Sequence, residues 1–164
     1  MSNIHATLHL MCGKIGAGKS TLATRLATTP NTIILSEDHW LSRLYPDEIV
    51  ALPDYIRCAS RLRAAMGPHV ESLLRIGVSV VLDFQANTIA TRKWMRTLFE
   101  HAAAAHQLHF LDVPDTVCKA RLRERNAAGN HEYSTSDAEF DRITSYFVPP
   151  DEVEGFNVIH YKWS

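Results

Sequence analysis

Long apolar runs are missing from this 164-residue chain. No stretch reaches the roughly 18 apolar residues of a membrane-spanning helix. Cysteine is scarce. Cys12, Cys58 and Cys118 are odd in number and far apart, which excludes a disulfide framework and a paired-cysteine metal site and points to a reducing compartment. Cys12 and Cys118 read as small apolar groups in packed elements. An excess of either charge is also absent. Seventeen Lys and Arg stand against 18 Asp and Glu, a net of −1, with no basic stripe of the kind polynucleotide binders carry. The nine histidines contain no HExxH. His101, His106 and His109 lie close together but straddle a predicted helix end and strand, which argues against a metal site. MSNIHATLHL lacks the basic-then-apolar layout of a signal peptide, so the expected location is the cytoplasm. No internal repeat and no linker divide the chain, which is expected to form one domain over residues 1–164. Glycine is sparse too, with seven in all, yet three of them fall in one stretch of ten residues.

That stretch, MCGKIGAGKS, occupies residues 11–20 and reads Gly13-x-x-x-x-Gly18-Lys19-Ser20, the phosphate-binding loop pattern. Glycines let successive N–H groups point inward at phosphate oxygens with no Cβ in the way. A following helix adds its positive N-terminal end. The nucleotide-binding candidates are Gly13, Lys14, Gly16, Ala17, Gly18, Lys19, Ser20 and Thr21. Lys19 can reach the β- and γ-phosphates, and the Ser20 hydroxyl can hold Mg²⁺. The context agrees: Thr7 to Cys12 reads as a short buried strand, and Thr21 to Thr28 as a helix.

Strands and helices alternate through the rest of the chain. Thr32 to Leu35 is a second strand, followed by helical spacing from about Asp38 to Tyr45. A long helical stretch from about Pro53 to Arg75 is predicted to break near Gly67-Pro68 and to close at Gly77. Val78 to Leu82 is the strongest β stretch, continuous and apolar like a central parallel strand. A helix follows from about Thr91 to Ala105, then a strand from Gln107 to Leu111. Pro114 and Asp115 open a further helix with three arginines. Ser136 to Phe147 is helical, with Ser136 or Asp137 as N-cap, and Asn157 to His160 is a last strand. The alternation predicts an α/β fold, a parallel sheet covered by helices on both faces. In such folds ligands gather beyond the carboxyl ends of the strands.

Two carboxylates stand there. Asp83, after the third apolar strand, suits the shell of a Mg²⁺ ion. Asp38 stands after the second strand; it is either a ligand-side carboxylate or the N-cap of its helix. Arg121 and Arg125 are four residues apart and share a helix face, whereas Arg123 points elsewhere. With the polar segment that follows, they form an expected lid over about 121–136 that closes on phosphates. Arg57 with Arg61 and Arg92 with Arg96 repeat the spacing but read as ordinary surface pairs.

GKIGAGKST, SEDHW, VVLDF and RLRERN together resemble a small P-loop kinase of the AAA-type ATP-binding group, which includes chloramphenicol phosphotransferase, the zeta toxins and the kinase domain of polynucleotide kinase. The resemblance runs in order along nearly the whole chain. It implies a P-loop NTPase, nucleoside-kinase-like three-layer sandwich with a five-stranded parallel sheet in the order 2-3-1-4-5. It implies ATP or GTP with Mg²⁺, Asp38 as the base that accepts the acceptor hydroxyl's proton, with Glu37 as the alternative, and Arg121 and Arg125 on the nucleotide and the transferred phosphate. The catalytic set is then Lys19, Asp38, Arg121 and Arg125, and the metal set Ser20 and Asp83. A GTPase switch is excluded by the lack of Asp-x-x-Gly after the third strand and of Asn-Lys-x-Asp. A remodelling ATPase needs a helical lid domain for which there is no room. A nucleotide-binding module without turnover is the other class.

Charge suggests the acceptor. Residues 1–125 hold fifteen Lys and Arg against eleven Asp and Glu, whereas residues 126–164 hold two against seven. Asp137 and Asp141 are four apart on one helix face, with Glu139 between them. An acidic wall would attract a small cationic, hydroxyl-rich acceptor such as an aminoglycoside, which would make the protein a resistance enzyme. A nucleoside, a sugar or a nucleic-acid 5′-hydroxyl are the alternatives, and an acidic surface that is merely solvated is the plainer reading.

Overall fold

The computed structural model describes residues 5–129 and 134–164. Five parallel strands form one sheet in the order β2-β3-β1-β4-β5: β1 (Thr7–Cys12), β2 (Thr32–Ser36), β3 (Ser79–Gln85), β4 (Ala105–Asp112) and β5 (Val158–Lys162). The six α-helices among the described residues are α1 (Lys19–Leu26), α2 (Glu37–Leu44), α3 (Leu52–Arg75), α4 (Ile89–Ala102), α5 (Asp115–Ala128) and α6 (Asp137–Thr144). The expected 2-3-1-4-5 order holds. Central strands alternate two apolar faces. Leu8, Leu10, Val80, Leu82 and Phe84 pack against Leu62, Met66, Val70, Met95 and Leu98 of α3 and α4. Met11, Val81 and Leu111 pack against Leu22, Ala23, Cys118, Leu122 and Phe140 of α1, α5 and α6. The three layers follow from that alternation, since a parallel sheet is stable when both faces are covered. Cys12, Cys58 and Cys118 are buried free thiols. No described helix is long and apolar enough to cross a membrane.

Three boundaries differ from expectation. The break near Gly67-Pro68 does not occur; α3 runs continuously through Pro68. Leu62, Met66, Val70 and Leu74 are buried at four-residue spacing. Pro68 and Ala64, whose carbonyl the proline leaves without a donor, lie on the exposed face. There water replaces the lost hydrogen bond, and the buried stripe holds the helix together. The helix expected to reach Ala105 stops at Ala102, because Ala103 turns left-handed at φ 52° and Ala105 pairs with Thr7 of β1. Strand pairing overrides the helix preference of the alanine run. The third strand extends to Gln85, and its register against β1 jumps between Leu10 opposite Leu82 and Met11 opposite Gln85. That irregularity sits at Asp83 and Phe84, where a bulge re-aims a side chain.

The three clustered histidines part company. His101 contacts Glu71, and His106 stacks on Phe99 at 3.9 Å between ring centroids. His109 joins a polar ladder across the sheet: His9 Nδ1 lies 3.0 Å from His109 Nε2, and His109 Nδ1 lies 2.9 Å from the Tyr161 hydroxyl. Burial, and then the neighbouring His9, hold the His109 pKa down at about 4. Unfolded histidine takes a proton near pH 6.5. Folded His109 stays neutral to well below that value, so its contribution to stability is complete above about pH 6.5. It is lost as pH falls toward 4, with a slope of up to about 1.4 kcal/mol per pH unit. Urea unfolding at pH 7 and at pH 5 should show a loss of about 1–2 kcal/mol beyond that of His109→Leu. Equal pH slopes for the two proteins would remove His109 from the account.

Candidate active site

The loop after β1 turns on glycines with backbone angles that L-residues avoid: φ is +82° at Gly16 and +101° at Gly18. A Cβ on Gly16 would stand 2.8 Å from the Cys118 carbonyl oxygen, so the loop lies against α5 at a distance only glycine allows. Gly18 is the N-cap of α1 and offers no side-chain cap, which leaves the first N–H groups of the helix available to an anion. Lys19 arches back over the loop. Its Nζ donates to the carbonyls of Gly13 at 2.6 Å and Lys14 at 2.8 Å. Burial lowers its pKa, opposed chiefly by the Asp83 charge. The Lys14 side chain turns outward to pair with Asp115 at 2.6 Å; this residue contributes backbone to the loop and keeps its charge outside it. Ala17 is buried.

Ser20 Oγ donates to Asp83 Oδ2 at 2.9 Å. A hydroxyl and a carboxylate converging beside the loop are hard oxygen donors of the kind Mg²⁺ takes, so these residues fit the ion. Among the described residues no group of three or more His, Cys, Asp and Glu is suited to a metal, in keeping with an ion that draws most of its ligands from phosphate and water.

One cavity of about 550 Å³ gathers most of the expected residues, though not Gly13, Lys14 or Ala17, and is within the usual range for small-molecule sites. Gly16, Gly18, Lys19, Ser20, Thr21, Asp38, Asp83, Arg121 and Arg125 all line it. Asp38 is not the cap of α2. Ser36 is, its hydroxyl accepting from His39 N at 3.3 Å. Arg121 donates to the Gly16 and Ala17 carbonyls at 3.3 and 3.2 Å and lies 5.1 Å over the Trp163 ring. Arg125 lines the same wall, and its Nε is buried without a hydrogen-bond partner. Burial lowers its pKa, and the Asp38 charge opposes the shift. An orphaned guanidinium N–H beside a phosphate loop fits a bound phosphate oxygen.

Other expectations fail. Glu37 is buried at 2% exposure, and both of its oxygens are engaged, one by the Tyr55 hydroxyl and the other by Arg63 Nε and Nη2 at 3.1 Å. Glu37 and Asp38 both line the cavity, and the Glu37 oxygens are held by α3. Asp137 pairs with Arg123 and Asp141 pairs with Lys119 at 2.8 Å. Both carboxylates are turned to α5, and Glu139, Arg142 and Ile143 supply the α6 part of the cavity wall. The two carboxylates that suggested a cationic acceptor are thus each paired with a basic residue of α5. Residues 130–133 of the expected lid lie outside the described residues; residues 121–128 of it are helical. Arg92, read as a surface residue, is fully buried.

One residue at the loop had no assigned role. Asn87 Oδ1 accepts from Gly13 N at 2.9 Å, and its Nδ2 donates to the Gly13 carbonyl at 2.7 Å. This two-bond clasp ties the first loop glycine to the end of β3. Its only sequence signal was its place shortly after an apolar strand.

The comparisons agree with this geometry. Residues 8–150 match the AAA domain family. No curated protein gives a significant match. A Chloroflexus aurantiacus protein superimposes with a TM-score of 0.76 at 18% identity, covering 96% of this chain and 85% of that one. Chaetomium thermophilum Kti12, in complex with ADP-AlF3, gives 0.70 at 15% identity, with 95% and 89% covered. The Mycobacterium tuberculosis APS kinase CysC, in complex with AMPPNP and APS, gives 0.59 at 19% identity, with 98% and 91% covered. The chain belongs to the AAA domain family and has the fold of the P-loop kinases.

Proposed function

We propose that the protein transfers the γ-phosphate of ATP, or of GTP, to a hydroxyl of a small molecule. The observation that carries this reading is one cavity lined by the phosphate loop, the Ser20–Asp83 pair, Asp38 and Arg125, whose Nε has no hydrogen-bond partner among the described residues. Loop amides and Lys19 hold the β- and γ-phosphates, while Arg121 and Arg125 neutralise the charge on the transferred group. Asp38 takes the acceptor's proton as the hydroxyl oxygen bonds to the γ-phosphorus. The bond from that phosphorus to the bridging oxygen breaks, and the nucleoside diphosphate leaves. Ser20 and Asp83 would hold Mg²⁺, which supplies charge neutralisation at the β- and γ-oxygens. Catalysis is mostly alignment and electrostatics.

Ile49–Leu52, Tyr55, Glu139, Arg142 and Ile143 also line the cavity and would form the wall for the acceptor. That wall mixes apolar and oppositely charged groups, which suits a small polar hydroxyl compound and gives a cationic antibiotic no special advantage. The Mycobacterium tuberculosis kinase likewise binds a small molecule, APS, beside an ATP analogue.

Asp38→Asn should lower kcat by roughly 10²-fold or more and leave the affinity for ATP close to that of wild type. Steady-state turnover and nucleotide titration read the two quantities separately. Wild-type kcat in this variant would remove Asp38 as the base.

A further inference from the structure

Beside the cavity lies a polar cluster that the transfer reaction does not explain. Glu37 occupies the first position of α2, immediately before Asp38. A first-turn carboxylate is favoured by the helix N-terminus and ordinarily sits in water. Here it is buried, and it receives two hydrogen bonds from α3, one from the Tyr55 hydroxyl and one from Arg63 Nε, with Arg63 Nη2 adding an ion-pair contact at 3.1 Å. Tyr55 and Arg63 are two turns apart on α3, with the buried Ala59 between them. Arg63 is backed in turn by Trp94 of α4, whose ring centroid lies 5.8 Å from the guanidinium carbon. Trp94 also contacts Phe84, the β3 residue next to Asp83, at 6.1 Å between centroids. Asp38 and Asp83, which line the cavity together with Glu37 and Glu139, are therefore sequence neighbours of residues anchored on one cluster.

Stability alone does not account for this choice. A buried ion pair often gives way to packed apolar residues without loss of stability, because desolvation consumes most of its Coulombic gain. What apolar residues cannot supply is direction. Two hydrogen bonds of fixed geometry and an ion pair set both the height and the rotation of the first turn of α2, and a misplacement of about 1 Å at a reacting group can cost roughly 10² in rate.

We infer that Tyr55 and Arg63 are positioning residues for phosphoryl transfer: through Glu37 they fix the first turn of α2 and hold the Asp38 carboxylate at the phosphate end of the cavity. The inference rests on Asp38 being the base. Tyr55 also lines the cavity, so the same helix that aims the base forms part of the acceptor wall.

The test uses the full chain and its hydrolysis of ATP, with water in place of the acceptor hydroxyl, under ATP saturation. The apolar double variant Glu37→Leu with Arg63→Met removes the directing bonds while filling the space. It should melt within a few degrees of wild type, bind ATP equally well and lose at least tenfold in kcat. Tyr55→Phe removes one donor from an otherwise intact cluster and should lose about threefold to tenfold in kcat with unchanged KM for ATP; it decides the matter if the double variant does not fold. Arg63→Lys should recover less than half of the lost rate, since an ammonium cannot reproduce the directed Nε hydrogen bond together with the Nη2 ion pair. A folded double variant or Tyr55→Phe protein with wild-type kcat overturns the inference. Asp38→Asn run in parallel separates the two failures: if it lowers kcat while the cluster variants do not, only the positioning role falls, and if it too is silent, the role of Asp38 falls and the inference with it.

Discussion

Lys19→Ala should abolish nucleotide turnover, by at least about 10²–10³-fold in kcat, as expected when a preorganised charge on the transferred group is removed. The Lys19 Nζ donates to the Gly13 and Lys14 carbonyls of its own loop, and Lys19 is the first residue of α1. Burial already lowers its pKa, so the ammonium is held where water cannot stabilise it and an incoming phosphate can. Melting temperature and far-ultraviolet dichroism should match wild type, while ATP affinity and turnover both fall. A folded Lys19→Ala protein that still transfers the γ-phosphate at the wild-type rate would remove the phosphate loop from the account.

Arg92→Ala should produce the largest loss of stability, about 3–5 kcal/mol, which is a fall of about 10 °C in Tm for a domain of this size. Arg92 has no exposed surface. It donates to both Glu154 oxygens at 2.8 and 3.1 Å, to the Ala86 carbonyl at 2.9 Å and to the Val148 carbonyl at 2.8 Å. Its removal strands a carboxylate and two carbonyls and unties the crossing segment before β5 from the end of β3. The consequence reaches the site, because Val148 N bonds to the Asn87 carbonyl and Asn87 clasps Gly13. Calorimetry reads the first effect, and ATP affinity in the folded fraction reads the second. A change in Tm of less than about 3 °C would mean that the segment is held by its aromatic contacts instead.

The phosphate loop and the strands themselves were legible because they depend on local pattern, whereas the 2-3-1-4-5 order was implied by the family resemblance. Glycine spacing specifies the loop backbone, and apolar runs specify buried parallel strands. Asp38 and Asp83 were legible for the same reason, since each follows a strand whose carboxyl end faces the ligand. What the sequence hid was carried by partners distant along the chain. Asp137 and Asp141 share a helix face, as their spacing says, but spacing does not reveal that Arg123 and Lys119 stand opposite. Arg92 and Arg96 look like a surface pair until the segment around Glu154 folds over them. Glu37 looks like an alternative base until α3, eighteen and twenty-six residues further on, takes both of its oxygens. Pro68 misled in the other direction, because a local breaker lost to a stripe of tertiary contacts that no local rule contains.

The central claim is γ-phosphoryl transfer to a small hydroxyl compound, and following the γ-phosphate itself tests it most directly. The full chain is incubated with γ-labelled ATP, Mg²⁺ and a panel of polyols, sugars, hydroxy acids, nucleosides and aminoglycosides, and the products are separated by mass. The account predicts that label moves into a phosphate ester of at least one panel member, that this transfer disappears in Lys19→Ala and that it drops by roughly 10²-fold in Asp38→Asn. Label that remains in ATP with every compound, or that appears only as inorganic phosphate at a rate indifferent to Lys19, would contradict it.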